Sequence, residues 1–460
     1  MPGLLLRPPV LAGGLVALLM LQIVAFAGVR NDDAFITYRY AQNLALGNGP
    51  VFNPTERLLG STSPGHILIA SVVYAIAGRD ATPGIMSAIG CIAWSAQAVA
   101  LFLLLRRALL PSGAAVVALA VLIGGTRAQN WVPLETNLVV ACVLFAFAAA
   151  GRARWSITAG FAAAATLMRP DAWLPALILA GFCLYERRRE VLPSARTFIV
   201  LAAPWPLFAL YYYGSPVPQS AFAKFQRTEL LEYVQHLFTY PSSIWLPLPV
   251  PAEPQVAVTF GLAGLGAWCL WRRSTRLAPF LIAGVAHALA YAYLRPFTVH
   301  GWHVYPWVLF VSVLAWSALV CIAQALAARG KRPLAIATSL AIAALLGVQG
   351  VRYAESIQTL ARGYWTGERQ AVYVDIARYL EEHASSGDWF GSIEVGTIAY
   401  YSDLPAFDLG GLVTRPTQRL DQSPVKFLVV DRLYMQPHAA VPPVFRSQHG
   451  EFVAVVYRTR

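Results

Sequence analysis

Two adjacent carboxylates, Asp32 and Asp33, follow the first apolar run of the chain. Neighbouring acids repel each other and bring no evident gain in stability, so the pair suits chemistry. It could capture a divalent cation, or one acid could act as general base while the other tunes it. The competing reading is an N-cap for a helix over 34–46, because Asp is a favoured cap. A cap needs one Asp, and here there are two. A second acid, Glu135, opens a later apolar run in the sequence VPLETN (132–137). Its plain role would be to complement the dipole of the helix that follows. Arg169 and Asp171 flank Pro170 between two further runs, where the arginine could snorkel and pair with Asp171. The loop over 47–65, rich in Gly, Pro, Asn and Ser, carries Glu56 and Arg57, which could simply pair with each other; otherwise Glu56, like Glu135, is a candidate for contacting a substrate.

Other polar and aromatic groups interrupt the apolar runs further on. Tyr211, Tyr212 and Tyr213 precede Gly214; Lys224 follows, and then Arg295, His300, Trp302, His303 and Tyr305. Singly, each fits the aromatic and basic belts of a membrane interface. As a set they match a sugar on a lipid-linked phosphate. Cations such as Arg169, Lys224, Arg295 and His303 would neutralise phosphate charge, and Tyr213, Trp302 and Tyr305 would stack on sugar faces. Asp33 and Glu135 are the candidate ligands for a divalent cation, Mg or Mn.

That chemistry requires one membrane face to collect these groups. The chain has 460 residues, 57% of them hydrophobic and only 13% charged, with mean hydropathy +0.54. A soluble domain carries about 25% charged residues, so the composition specifies a polytopic α-helical membrane protein. About eleven spans are expected, at 10–29, 84–105, 113–129, 136–151, 155–168, 172–185, 197–213, 256–271, 277–294, 305–327 and 333–351. The run at 10–27 is longer than a usual signal-peptide core and reads as a retained first helix. The stretch 64–77 is too short to cross and is expected to lie at the membrane surface.

Loop charge supports that choice. With 64–77 on the surface, alternate loops hold Arg106 and Arg107, Arg152 and Arg154, Arg187 to Arg189 with Arg196, Arg272, Arg273 and Arg276, and Arg329, Lys331 and Arg332. The intervening loops are longer and poorer in basic residues. The positive-inside rule then puts the N-terminus in the cytoplasm and every group discussed above on the outer face. The net charge of +12 is accounted for by these anchors, so no nucleic-acid partner is expected. All five cysteines, Cys91, Cys142, Cys183, Cys269 and Cys321, fall in apolar runs without metal-ligand spacing.

After about residue 352 the pattern changes to a small outer α/β domain, giving a membrane module over 1–351, with its first outer loop at 30–83, and a tail over 352–460. Val372, Ile376, Tyr379 and Leu380 form a helical stripe, and strands are expected at 389–393, 426–430 and 452–457. The acids at span ends on one face, with no internal repeat, favour an enzyme over a transporter or flippase for a lipid-linked sugar. A structural subunit of a wall assembly is the third reading.

The block NDDAFITYRYAQNLALGNGPVFNPTERLLGSTSPGHILI (31–69) resembles the first outer loop of integral-membrane C-type (GT-C) glycosyltransferases. It is most similar to bacterial members of the arabinofuranosyltransferase and mannosyltransferase kind. LET (134–136), LMRPD (167–171), YYYGSPVPQSAFAK (211–224) and EVGTIAYYSDLPAFDLGGL (394–412) support the resemblance in order. It implies the GT-C fold with interfacial helices in the first outer loop. It further implies transfer from a polyprenyl-phosphate sugar to a glycan or lipid acceptor, outside the bacterial cytoplasmic membrane, in cell-envelope synthesis. The family's catalytic base falls on Asp32, with Asp33 beside it, and its second-loop acid falls on Glu135. A single Glu stands there in place of a two-acid motif. The tail would position the acceptor, with Tyr400, Tyr401, Asp403 and Asp408 as contacts or as packing.

Overall fold

In the computed structural model, residues 8–124, 131–223, 229–245, 252–295, 301–361, 367–385, 387–415, 417–433 and 442–459 are described. The membrane module comprises α1 (Pro8–Phe26), α2 (Asp32–Ala45), α3 (Pro64–Leu105), α4 (Pro111–Ile123), α5 (Thr136–Ala150), α6 (Trp155–Met168), α7 (Trp173–Glu186), α8 (Val191–Ala202), α9 (Pro204–Tyr213), α10 (Gln219–Ala223), α11 (Leu230–Trp245), α12 (Ala252–Arg273), α13 (Ala278–Leu294), α14 (Gly301–Ala328) and α15 (Arg332–Ala361). Every expected span falls on one or two of these helices. Among the described residues, six helical stretches are long and apolar enough to cross a membrane, and four shorter apolar helices accompany them.

The surface stretch is also a helix. Residues 64–77 form the first arm of α3, which breaks at Gly78 (φ 77, ψ 179) before its second arm runs on to Leu105. That backbone conformation is open to glycine and costly for other residues. Pro83 falls five residues past the break, in the opening turns of the second arm, where its missing N–H costs little. Two helices of this module were not expected, the short α10 and α11. The latter, in the loop after Gly214, buries Tyr233 and Leu237 and accepts a hydrogen bond at the Leu237 carbonyl from Trp307 Nε1 (2.8 Å).

The tail contains α16 (Glu368–His383), α17 (Gly396–Ser402) and strands β1 (Trp389–Ser392), β2 (Ala406–Asp408), β3 (Val425–Asp431), β4 (Phe445–His449) and β5 (Phe452–Arg458). The sheet order is β2-β1-β3-β5-β4. β1 pairs in parallel with β2 and β3, whereas β5 runs antiparallel to β3 and β4. Val372, Ile376 and Leu380 are buried, as their stripe predicts. β2 and β4 escaped the sequence reading because one is three residues long and the other, FRSQH, is mostly polar.

The tail and the segment over 30–83 share one core. Phe35, Tyr38 and Ala41 of α2 and Ile67 of α3 are buried together with Ile398 and Tyr400 of α17 and Phe390 of β1. The rings of Phe35 and Tyr400 meet edge to face at 5.4 Å. α15 continues to Ala361, beyond the expected boundary at 351.

Candidate functional site

The local chemistry of α2 decides where its two acids go. The cap is Asn31, in extended conformation, whose side chain accepts from the Asp33 amide (2.9 Å). Neither aspartate is therefore needed as the cap. Asp32 is buried, 5% exposed, and accepts hydrogen bonds from the amides of Gly396 (3.0 Å) and Thr397 (2.8 Å) at the start of α17. Burial, and then the nearby Glu394, push its carboxyl up to about 8, although the amide bonds pull the other way.

Asp33 instead lines a cavity of about 420 Å³. Ile36 and Thr37 of α2, the Gly60 to Ser63 segment, Leu134 and Glu135 before α5, and Arg169 to Asp171 between α6 and α7 share its wall. Ser220, Tyr291, Leu294, Trp302 and His303 complete it from α10, α13 and α14, and Leu412 closes it from the tail. One side of the wall is thus the loop that follows α1, and the others are helix ends and the tail.

Arg169 does not snorkel. It is 5% exposed and grips Asp171 through Nε (3.1 Å) and Nη2 (2.6 Å). Nη1 donates to the Trp302 carbonyl (3.0 Å), and Nη2 reaches the Tyr291 hydroxyl (3.2 Å). Tyr291 in turn donates to Asp171 (2.9 Å). Burial alone would raise Asp171, but the guanidinium holds its carboxyl below the ordinary value. Glu135 lies 4.0 Å from Arg169 Nε and makes no side-chain cap bond to α5. One guanidinium therefore organises two carboxylates, and Asp33 shares their cavity.

The other expected site residues divide. His303 and Trp302 line the cavity, and Trp302 meets Trp131 edge to face at 5.5 Å. Arg295 caps α13 with left-handed backbone (φ 43), next to the cavity residue Leu294, but is not itself part of the wall. Tyr305 is buried among the helices, donating to Gln97 Oε1 (2.5 Å). Tyr213 donates to the Pro50 carbonyl and holds the first loop. Glu56 does not pair with Arg57: it accepts from Asn53 (3.1 Å) and from Gln418 of the tail (2.5 Å), while Arg57 stacks over Tyr212. These three side chains brace the site without lining it. Lys224 and His300 lie outside the described residues.

In the tail, Asp403 pairs with Arg39 (2.6 Å), Tyr400 is buried, and Asp408 accepts from the amides of Gly410, Leu412 and Val413. These three contacts are packing. Sequence reasoning missed Tyr291, an aromatic within an apolar run. It also took the GSTS segment only as part of a motif, although Thr37 Oγ1 and Ser61 Oγ approach to 3.4 Å at the wall. For a metal, Asp33 and Glu135 do share the cavity. Among the described residues, however, no three His, Cys, Asp or Glu side chains group closely enough to hold an ion, and Arg169 already supplies positive charge beside Glu135 and Asp171. Among the described residues, protein side chains alone do not form a metal cage.

The whole chain has the GT-C fold, with a small five-stranded tail domain. It is similar to ArnT from Cupriavidus metallidurans bound to undecaprenyl phosphate, with TM-score 0.63, 12% identity and 98% of both chains covered. The apo form of that protein gives TM-score 0.65 and 14% identity, covering 97% of this chain and 98% of that one. Archaeal oligosaccharyltransferase AglB from Archaeoglobus fulgidus, in complex with an inhibitory peptide and a dolichol-phosphate, gives TM-score 0.58 and 13% identity, covering 91% of this chain and 69% of that one. Residues 358–458 match a family described as a domain of unknown function, DUF8728. No curated protein gives a significant sequence match.

Proposed function

We propose that the protein is an inverting glycosyltransferase that moves a sugar from a polyprenyl-phosphate carrier to an acceptor hydroxyl, with Asp33 as general base. The observation that carries this reading is the shared cavity. A half-buried carboxylate, the Arg169–Asp171–Glu135 cluster and the Trp302 ring face one space. Two proteins of the same fold are seen with undecaprenyl phosphate and dolichol-phosphate.

The chemistry needs little more. Phosphate is a good leaving group, so a glycosidase-style second carboxylate is unnecessary. Asp33 takes the acceptor proton as the hydroxyl oxygen attacks the anomeric carbon; the bond from that carbon to the phosphate oxygen breaks, and phosphate leaves with the electron pair. Arg169 is saturated by Asp171 and Trp302, so its role is to hold the wall and orient Glu135 and Asp171 toward sugar hydroxyls. His303, Arg295 and Lys224 are then the candidates for the leaving phosphate. Asp32 anchors α2 to the tail, which places Asp33. The sequence resemblance favours arabinofuranose as the sugar, a bacterial cytoplasmic membrane as the location and the outer face for the site.

Transfer from labelled polyprenyl-phosphate pentose or hexose donors in membranes tests the assignment. Asp33→Asn should lower the rate by about 100-fold or more, whereas Asp32→Asn should keep most activity. The reverse pattern would return the base to Asp32. Full activity in both folded variants would reject the catalytic assignment to this acid pair, and lipid-linked sugar crossing the membrane with no transfer by the unsubstituted protein would favour a flippase. Because no step uses a metal, transfer should persist in EDTA. Loss restored by Mg or Mn would add an ion held between Asp33, Glu135 and the donor phosphate.

A further inference from the structure

A second cleft, of about 310 Å³, opens between α2, α16 and α17 and shares no residue with the cavity above. Arg30 and Arg378 both line it, with Gln370, Thr397 and Tyr401. Among the described residues, no salt bridge joins either arginine to a carboxylate, whereas nearby Arg79 lies 3.6 Å from Glu381 and 3.5 Å from Asp403. Asp375, the acid in the wall, is occupied by Ser447 (2.9 Å) and His449 (2.7 Å). Thr397 donates to Gln370 Oε1 (2.6 Å). The cleft is therefore cationic, with hydrogen-bonding side chains around it. That is the character of an anion site.

Its position narrows the anion. Arg30 follows the end of α1 and donates through Nη1 to the carbonyls of Ala27 (2.7 Å) and Val29 (3.0 Å), so its guanidinium is held at the helix terminus. Gly367, also in the wall, follows the end of α15. The two helices meet at the end of α1, with Phe26 edge to face on Tyr353 at 6.0 Å. The cleft thus adjoins the end of α1, and an apolar helix that spans a bilayer ends among lipid phosphates. Beside that contact each helix exposes an apolar side chain, Val24 at 84% and Val351 at 59%, suited to acyl chains.

We propose that this cleft binds the phosphate of an anionic lipid headgroup, gripped by Arg30 and Arg378, with the acyl chains against α1 and α15. The site stands independently of the sugar-transfer reading, and its test does not read transfer.

Native mass spectrometry of the full-length protein in neutral detergent would be titrated with phosphatidylglycerol, with diacylglycerol and with inorganic phosphate. Phosphatidylglycerol should bind in preference to diacylglycerol. Arg378→Gln should weaken it about tenfold, as expected for a lost charge-assisted hydrogen bond, and adding Arg30→Gln should weaken it further. Arg378 is exposed and spares the fold, whereas Arg30→Lys controls for any loosening of α1. Equal binding of both lipids, unchanged by either substitution, would overturn the proposal. So would inorganic phosphate binding that the double variant loses while phosphatidylglycerol binding stays intact, since the anion would then be a soluble one.

Discussion

Asp32 and Asp33 are neighbours in the chain and opposites in the fold. One residue along a helix rotates the side chain by about 100°, enough to send Asp32 into the tail and Asp33 into the cavity. Residue type could not separate them; the resemblance to known transferases named Asp32, whereas it is Asp33 that lines the cavity. The raised carboxyl of Asp32 has a measurable consequence. In the unfolded chain it ionises near 3.8, and in the fold near 8. Its stabilising contribution is complete below the lower value and is lost as pH rises through the upper one. The melting temperature should accordingly fall as pH goes from about 4 to about 8, and Asp32→Asn should flatten that part of the curve. An unchanged slope in the variant would show that Asp32 is not the group responsible.

At the scale of elements, the site depends on close approach between α2 and α17. A Cβ added at Gly396 would lie 2.2 Å from the backbone oxygen of Asp32 and 3.0 Å from its carboxylate. Gly396→Ala must therefore push the helices apart, at a cost of about 1–3 kcal/mol. The expected outcome is a lower melting temperature, faster hydrogen exchange over 396–402 and reduced transfer, because the same displacement moves Asp33. Normal exchange together with normal activity would mean that α17 does not set the position of the base. The break at Gly78 works differently, since open space surrounds it. There the glycine serves the backbone turn that joins the short first arm of α3 to its longer second arm. The sequence pattern showed the arm as too short to cross, but not that it continues into the next span.

Across the whole molecule, the tail is bonded to the loop that follows α1 rather than tethered beside it. Buried Arg39, 2% exposed, reaches Asp403 through both its side chain (2.6 Å) and its carbonyl (2.9 Å). Asn53 exchanges two hydrogen bonds with Ala406. The loop and the tail must then lie on the same side of the membrane. A reporter fused after residue 330 should be cytoplasmic and one at 460 should not. Finding both on one side would overturn the surface-helix topology and the positive-inside argument beneath it.

The sequence by itself determined that the chain is a polytopic helical membrane protein with an α/β tail, where its apolar runs lie, and which polar residues are out of place among them. Those properties are local: a run of apolar residues must leave water whatever lies beyond it. The tertiary structure decided which of those residues meet. Asp33, Glu135 and Asp171 come from separate segments, Tyr291 and Trp302 from later helices, and Leu412 from the far end of the chain. Asp32 is claimed by amides more than three hundred and sixty positions away (|i−j| 364 and 365). Side-chain direction and long-range docking set that arrangement, and neither is written in the spacing of residues along one segment.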